Sequence, residues 1–394
     1  MSFLEDAQQL QPELVELRRR LHAHPELGND LPWTQRQVLE ALDGCDLEIT
    51  LGRSLSSVVA VLRGGRPGPA VLLRGDMDGL PIEEQTGLDF ASTNGAMHAC
   101  GHDLHTAGLV GAARLLSARR EELPGSVVFM FQPGEESPGG ASPMIEEGVL
   151  EAAGERPVAA YGIHVSPGEP GVFTYRPGTL MAGANHLSVT FHGKGGHGSQ
   201  PWTSKDPVTA LCEFGTALQA MVTRRFSVFD PVVVTMTQLW AGEAMNVIPD
   251  SARMAGSVRT LSRETTERFP HLVRELADGI ASSYGLRAQV DWNEFYPATI
   301  NDPEEARFTG ETLTRLFGAE HVQVMENPRM GSEDFSFVLR EVPGCFMFLQ
   351  CSPADVDVAT APWNHSPHVR YDDAVLGVQA AALAELAWGR LHLG

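Results

Sequence analysis

Val127-Val-Phe-Met-Phe131-Gln-Pro-Gly-Glu135-Glu136 sets five apolar residues directly before a turn and two adjacent carboxylates. A short run that is apolar at every position, not at alternate ones, reads as a strand buried on both faces, and such strands belong to mostly parallel sheets covered by helices. The acids that follow carry the second message. A solvated Pro-Gly-Glu-Glu loop is a credible alternative, but a carboxylate drawn into the end of a buried strand needs a metal or a partner. The two glutamates also differ in direction, so one can ligate an ion while its neighbour points at a bound water.

The same texture extends to either side. Leu10, Leu14, Leu17 and Leu21 lie at helical spacing, so residues 7–23 read as an opening amphipathic helix. Val58–Leu62, Pro69–Leu73 and Val158–Ile163 read as further strands, and Asp103–Leu116 as a helix capped by Asp103. After Met181 the pattern changes. Asn185–His192, Val232–Leu239, Ala252–Leu261 and Arg287–Trp292 read as strands, several with one polar face, and Asp206–Thr223 and Glu264–Ser283 as helices. The order strand-helix-strand-strand-helix-strand is that of a ferredoxin-like α+β sandwich. The α/β texture then returns, with a helix at Pro303–Leu316, a buried strand at Cys345–Leu349 and a last helix at Asp373–Leu391. The expected division is residues 1–181 with 296–394 as an α/β domain and 182–295 as an insertion.

Four segments rich in metal-capable residues follow expected parallel strands: Asp76 and Asp78, Glu135 and Glu136, His164, and His365 with His368. Ligands of open parallel sheets bind beyond the carboxyl ends of the strands. A fifth segment, Met97-His-Ala-Cys100-Gly-His102-Asp103, places Cys100 and His102 two residues apart, able to converge on one ion from an extended stretch. Alone, each has a plain reading: a turn for Asp76–Gly79, a buried cysteine beside loop histidines for Cys100, a core histidine for His164, a loop histidine for His365. Together, a thiolate, imidazoles and carboxylates at one rim of a sheet favour a metal centre. Gly193-Lys-Gly-Gly-His197-Gly-Ser-Gln-Pro lacks the Gly-Lys-Ser/Thr ending of a phosphate loop and does not read as a nucleotide site.

Composition bounds the function. The 394 residues carry 29 basic and 50 acidic side chains, a formal charge of −21, which argues against nucleic acid or an anionic membrane as partner. No apolar run reaches the roughly 18–20 residues that span a bilayer. The opening Met1–Gln9 has neither a basic start nor an apolar core, and the five cysteines are scattered and odd in number. Both features lead to the expectation of a cytoplasmic protein.

Several motifs in this order resemble the metallo-amidohydrolase and carboxypeptidase family that includes hippurate hydrolase, bacterial N-acyl-amino-acid hydrolases and the plant auxin-conjugate amidohydrolases. They are Leu17-Arg-Arg-Arg-Leu-His-Ala-His-Pro-Glu-Leu-Gly, Arg74-Gly-Asp-Met-Asp-Gly-Leu-Pro, His98-Ala-Cys-Gly-His-Asp, Phe131-Gln-Pro-Gly-Glu-Glu, Gly193-Lys-Gly-Gly-His, Asn246-Val-Ile-Pro and Gly331-Ser-Glu-Asp-Phe. The resemblance implies two divalent ions per subunit, zinc, manganese or a similar transition metal, held by Cys100, His102, Glu136, His164 and His365. Cys100 stands where wider relatives carry a bridging aspartate. It implies Glu135 as general base for a metal-activated water, Asp78 as a carboxylate orienting a ligand, and His197 as an oxyanion donor reaching a partner subunit's site. It further implies that the insertion dimerises, giving a homodimer or homotetramer. Asn246 and Arg259 fall where that domain meets substrate, with an exposed surface arginine as the equal alternative for Arg259. The expected reaction is hydrolysis of N-acyl-L-amino acids. A dipeptidase or carboxypeptidase is the alternative, and a metal-dependent binding protein without turnover the remote one. The chain departs from the pattern at Gly75 and in Gly198-Ser-Gln-Pro, each where an alanine is common.

Overall fold

Residues 3–393 are described by the structure, a computed structural model. The chain forms two compact units. The first comprises Met1–Leu180, Ile300–Asn327 and Asp334–Gly394; the second comprises Met181–Thr299 and six further residues, Pro328–Glu333.

The first unit is built on an eight-stranded sheet. Its strands are β1 (Glu48–Leu51), β2 (Val58–Arg63), β3 (Arg66–Asp76), β4 (Pro124–Gln132), β5 (Ala159–Ser166), β6 (Phe173–Tyr175), β11 (Val322–Val324) and β12 (Gly344–Gln350), in the order β1-β2-β4-β3-β5-β12-β6-β11. The central run β4-β3-β5-β12 is parallel, whereas β2 pairs antiparallel to β4 and β6 antiparallel to β12. The wholly apolar strands sit in the middle: Val127–Phe131 of β4 and Cys345–Leu349 of β12 are all fully or almost fully buried. Helices α1 (Phe3–Ala23), α3 (His102–Ser117) and α7 (Leu376–His392) pack on one another, and α3 and α7 also on β3 and β5; α2 (Pro32–Ala41) follows α1. Leu14, Leu17 and Leu21 are at most 3% exposed, each contributing roughly 1.5–3 kcal/mol by burial. No helix among the described residues is long and apolar enough to cross a membrane.

One expectation fails at α3. Asp103 does not cap the helix, because the N-cap is Gly101 and Asp103 lies inside the first turn, where buried partners engage its carboxylate. Gly101 holds φ 85°, and a Cβ there would meet Val165 Cγ2 at 2.2 Å. Only glycine accommodates both the left-handed backbone and this approach.

The second unit is a four-stranded antiparallel sheet of β7 (Gly183–His192), β8 (Val233–Ala241), β9 (Ser251–Thr260) and β10 (Arg287–Tyr296), in the order β8-β9-β7-β10. Helices α4 (Pro207–Arg225) and α5 (Arg263–Tyr284) alternate with the strands as expected; α6 (Pro303–Phe317) returns to the first unit. Asp206 caps α4 by accepting from the Val208 N–H, and Ser262 caps α5 by accepting from the Thr265 N–H. Leu187, Val189 and Phe191 alternate inward and meet Phe214 of α4 and Phe269 of α5 in one core. Strand order and connectivity are those of a ferredoxin-like sandwich.

Candidate metal centre

In the first unit, Cys100, Glu135, Glu136, His102, His164 and His365 converge at the carboxyl-end rim of β3, β4 and β5. Two of the donor groups that form there share Cys100, Cys100 with His102 and His164, and Cys100 with Glu136 and His365, while His102 with Glu135 and Glu136 forms a further one; the ligand atoms of each lie within 4.8 Å of one another. His164 lies within β5, not beyond its end, because that strand runs on to Ser166. His365 sits on the loop after β12 with φ 71°, an uncommon backbone for a side chain of this size, and its N–H donates to the Ala99 carbonyl at 2.9 Å. His368, by contrast, joins none of these donor groups and bonds through Nδ1 to the Gln85 carbonyl, 3.1 Å away.

The imidazoles are oriented for ligation. His102 Nδ1 donates to Asp78 Oδ1 at 3.3 Å, and His164 Nδ1 donates to the Val165 carbonyl at 2.6 Å. Each ring therefore presents Nε2. His164 Nε2 is 3.3 Å from Cys100 Sγ, and His102 Nε2 is buried without a hydrogen-bond partner. Glu136 Oε1 lies 3.0 Å from His365 Nε2 but outside hydrogen-bond alignment. Donors gathered this closely, with His102 Nε2 left without a hydrogen-bond partner, would fit a divalent ion. The donor set of thiolate, imidazole and carboxylate suits a later transition metal, with the carboxylate also admitting manganese. The residues present therefore fit two divalent ions sharing Cys100. The adjacent Cys100 thiol and Glu136 carboxylate push His365 up to about 10, the response of a pocket that attracts positive charge.

Asp78 organises the glutamate pair. Its Oδ1 accepts from the Glu135 N–H at 3.0 Å and its Oδ2 from the Glu136 N–H at 3.1 Å, so one buried carboxylate fixes both the loop and the His102 ring. Burial raises its pKa, and His102 opposes that rise. Glu135 is 6% exposed, with Oε2 4.0 Å from His102 Nε2.

Beneath the centre lies a charge network that sequence reading passed over. Asp103 takes Arg18 Nε at 2.7 Å and His22 Nδ1 at 2.8 Å, and His22 Nε2 reaches Glu84 Oε1 at 3.1 Å. Burial alone would raise the Asp103 carboxyl, but Arg18 and His22 outweigh it and hold it well below the usual range. His22 moves the opposite way: burial would lower it, and Asp103 and Glu84 raise it. His98, with neither ring nitrogen hydrogen-bonded, is pushed down to about 3 by burial and stays neutral. Asp103→Asn is expected to destabilise the first unit by about 3 kcal/mol, the low end for breaking a buried pair because Arg18 keeps Asp373 at 2.9 Å. A lowered urea midpoint checks this; an unchanged midpoint would show the network to be structurally idle.

His197, Asn246 and Arg259 belong to the second unit. His197 is exposed, and its Nδ1 accepts from the Ser199 N–H at 3.2 Å with the Ser199 hydroxyl at 2.8 Å, which leaves the proton of the neutral ring on Nε2 as a donor. The Asn246 carbonyl accepts from the Gly198 N–H at 2.8 Å, tying that residue to the His197 turn. Arg259 Nη1 donates to the Ser332 hydroxyl at 3.1 Å and forms no ion pair among the described residues, while burial lowers its pKa. His105 and Asn364 were not foreseen. Asn364 Nδ2 lies 3.6 Å from Cys100 Sγ. His105, three residues after His102 on one helix face, bonds to Asp76 at 2.5 Å, and the i, i+3 spacing was its only sequence signal.

Comparison with known proteins places these observations. The model of Peptidase family M20/M25/M40 matches residues 72–388. The chain is 38% identical over 376 residues to a Bacillus subtilis N-acetylcysteine deacetylase, covering 95% of this chain and 96% of that protein. It is 36% identical over 385 residues to thermostable carboxypeptidase 1 of Saccharolobus solfataricus, covering 97% and 96%. A Bacillus subtilis crystal structure described as a dinuclear metal binding peptidase from the M20 family superposes with TM-score 0.83 at 34% identity, over 98% of this chain and 99% of that one.

Proposed function

The chain belongs to peptidase family M20/M25/M40, as a metal-dependent hydrolase, and on that premise we propose that it cleaves the amide bond of N-acyl-L-amino acids. The observation that carries this reading is the pair of donor groups meeting at Cys100 with Glu135 beside them. Cys100, His102 and His164 would hold one ion, and Cys100, Glu136 and His365 the other. When bound, such ions lower the pKa of a water and polarise the scissile carbonyl.

The chain's own residues do the rest. Glu135 takes the proton of the attacking water and returns it to the leaving amine. Asp78 supports that exchange by pinning the Glu135 and Glu136 amides, so the base and its neighbour keep separate directions. His197 offers Nε2–H to the developing oxyanion, acting from a partner copy in a homodimer or homotetramer. Arg259, half-buried and without a carboxylate, takes the substrate α-carboxylate bidentately, and Asn246, tied through its carbonyl to the His197 turn, meets the substrate from there. Arg259→Ala is accordingly expected to lower kcat/KM by about 10- to 100-fold, mainly through KM, from the roughly 1.5–3 kcal/mol of a hydrogen bond to a charged group. Unchanged KM for acyl amino acids would remove it from the substrate site.

Hydrolysis of N-acetyl and N-benzoyl amino acids, compared with dipeptides before and after chelation, tests the substrate class. Acyl amino acids as the preferred, chelator-sensitive substrates support the proposal. Preference for dipeptides would favour the second reading, a carboxypeptidase or dipeptidase, which the similarity to the Saccharolobus carboxypeptidase supports.

A further inference from the structure

We infer that His105 is a positioning residue of the metal centre, holding the backbone of Val165 and, through it, the imidazole of His164. The inference rests on the reading of His164 as a metal ligand.

The ladder between β3 and β5 ends at the pair Arg74 and Gly162. Beyond it, the N–H and C=O of Val165, which point to the same side of a strand, have no strand to meet on that side. His105 supplies the missing acceptor: the Val165 N–H donates to its Nε2 at 2.8 Å. The Val165 carbonyl in turn accepts from His164 Nδ1 at 2.6 Å and from Asn364 Nδ2 at 3.3 Å. The N–H held by His105 and the carbonyl that sets the ring angle of His164 thus belong to one residue, Val165, and the carbonyl leaves His164 Nε2 facing Cys100. The two rings stand 4.7 Å apart at 65°, so rotation of either disturbs the other.

His105 is itself constrained from both ends. An Nε2 that accepts requires the proton on Nδ1, and that N–H donates to Asp76 Oδ1 at 2.5 Å. Asp76 cannot swing away, because its Oδ2 takes Arg74 Nη1 at 2.6 Å and its carbonyl accepts from the Thr106 hydroxyl at 2.8 Å. Gly75 permits the approach of α3 to β3, since a Cβ there would lie 2.8 Å from the His105 carbonyl oxygen. The departure from alanine at position 75 therefore sits under this relay. All of His105 is buried, and both ring nitrogens are hydrogen-bonded.

Two substitutions separate the bonds. In His105→Asn the amide nitrogen takes the place of Nδ1 and keeps Asp76 but removes the acceptor for Val165. In His105→Gln the side-chain oxygen reaches the place of Nε2 and restores that acceptor. Cobalt(II) titration against a competing chelator, the cobalt visible spectrum, and kcat and KM are measured for both, for His105→Ala and for His164→Ala. The inference expects His105→Asn and His105→Ala to weaken cobalt binding by roughly 10- to 100-fold, as loss of a ligand's supporting partner does, with altered absorption bands. His105→Gln should recover most of the affinity and the native spectrum. Native affinity and spectrum in His105→Asn would overturn it, as would a His105→Gln no better than His105→Asn; this pair decides even if His105→Ala does not fold. Undiminished cobalt binding in His164→Ala would instead overturn the ligand reading beneath it.

Discussion

Replacing Glu135 with glutamine is expected to lower kcat by on the order of 10²- to 10⁴-fold, the range contributed by a positioned general base, while metal content stays at the wild-type level. Glutamine preserves shape and the N–H that donates to Asp78, so the loop and its Glu136 neighbour stay in place. The proposed ligand sets do not include residue 135, and what the substitution removes is the acceptor for a proton. Elemental analysis beside steady-state kinetics checks both halves. Full activity would remove Glu135 from the mechanism, and loss of metal would make it a ligand.

Cys100→Ala should be the most damaging change at the ligands. Because Cys100 is the one residue common to both donor groups, its loss weakens both ions together, whereas His365→Ala removes a donor from one group only. Metal retention should fall well beyond the roughly 10- to 100-fold that follows loss of a supporting partner, and turnover should fall with it. Comparing metal stoichiometry in the two variants is the check. Two retained ions in Cys100→Ala would show that the sulfur bridges nothing. The same placement creates a liability: oxidation of Cys100 should inactivate the enzyme wherever the ions do not shield the sulfur.

The parts of the molecule that were legible in the sequence are those set by local pattern. Val127–Phe131 reads as a doubly buried strand, and the alternation of Leu187, Val189 and Phe191 as one inward face, and both are buried that way. The acids and histidines at strand ends were visible because residues of that kind have few reasons to follow apolar runs. What stayed hidden depends on how distant segments meet. His105 reads as one more residue of an apolar helix until α3 is laid against β3 and Asp76 comes within reach. Asp103 has the residue type of a cap, but the tight approach to Val165 assigns that place to Gly101, and Arg18 and His22, from α1, claim the carboxylate. His22 gave no sign of burial, lying beside charged neighbours in Arg18-Arg-Arg-Leu-His. Pro328–Glu333 folds with the second unit through contacts such as the Ala182 N–H donating to the Arg329 carbonyl at 2.9 Å, a pairing across some 150 residues that no local signal encodes.

The most direct test of the central claim is anomalous diffraction from crystals grown with manganese or zinc. The proposed arrangement predicts two peaks per subunit, each about 2.3 Å from Cys100 Sγ, one bordered by His102 and His164 and the other by Glu136 and His365. A single peak, or two peaks that do not both touch Cys100, would contradict it.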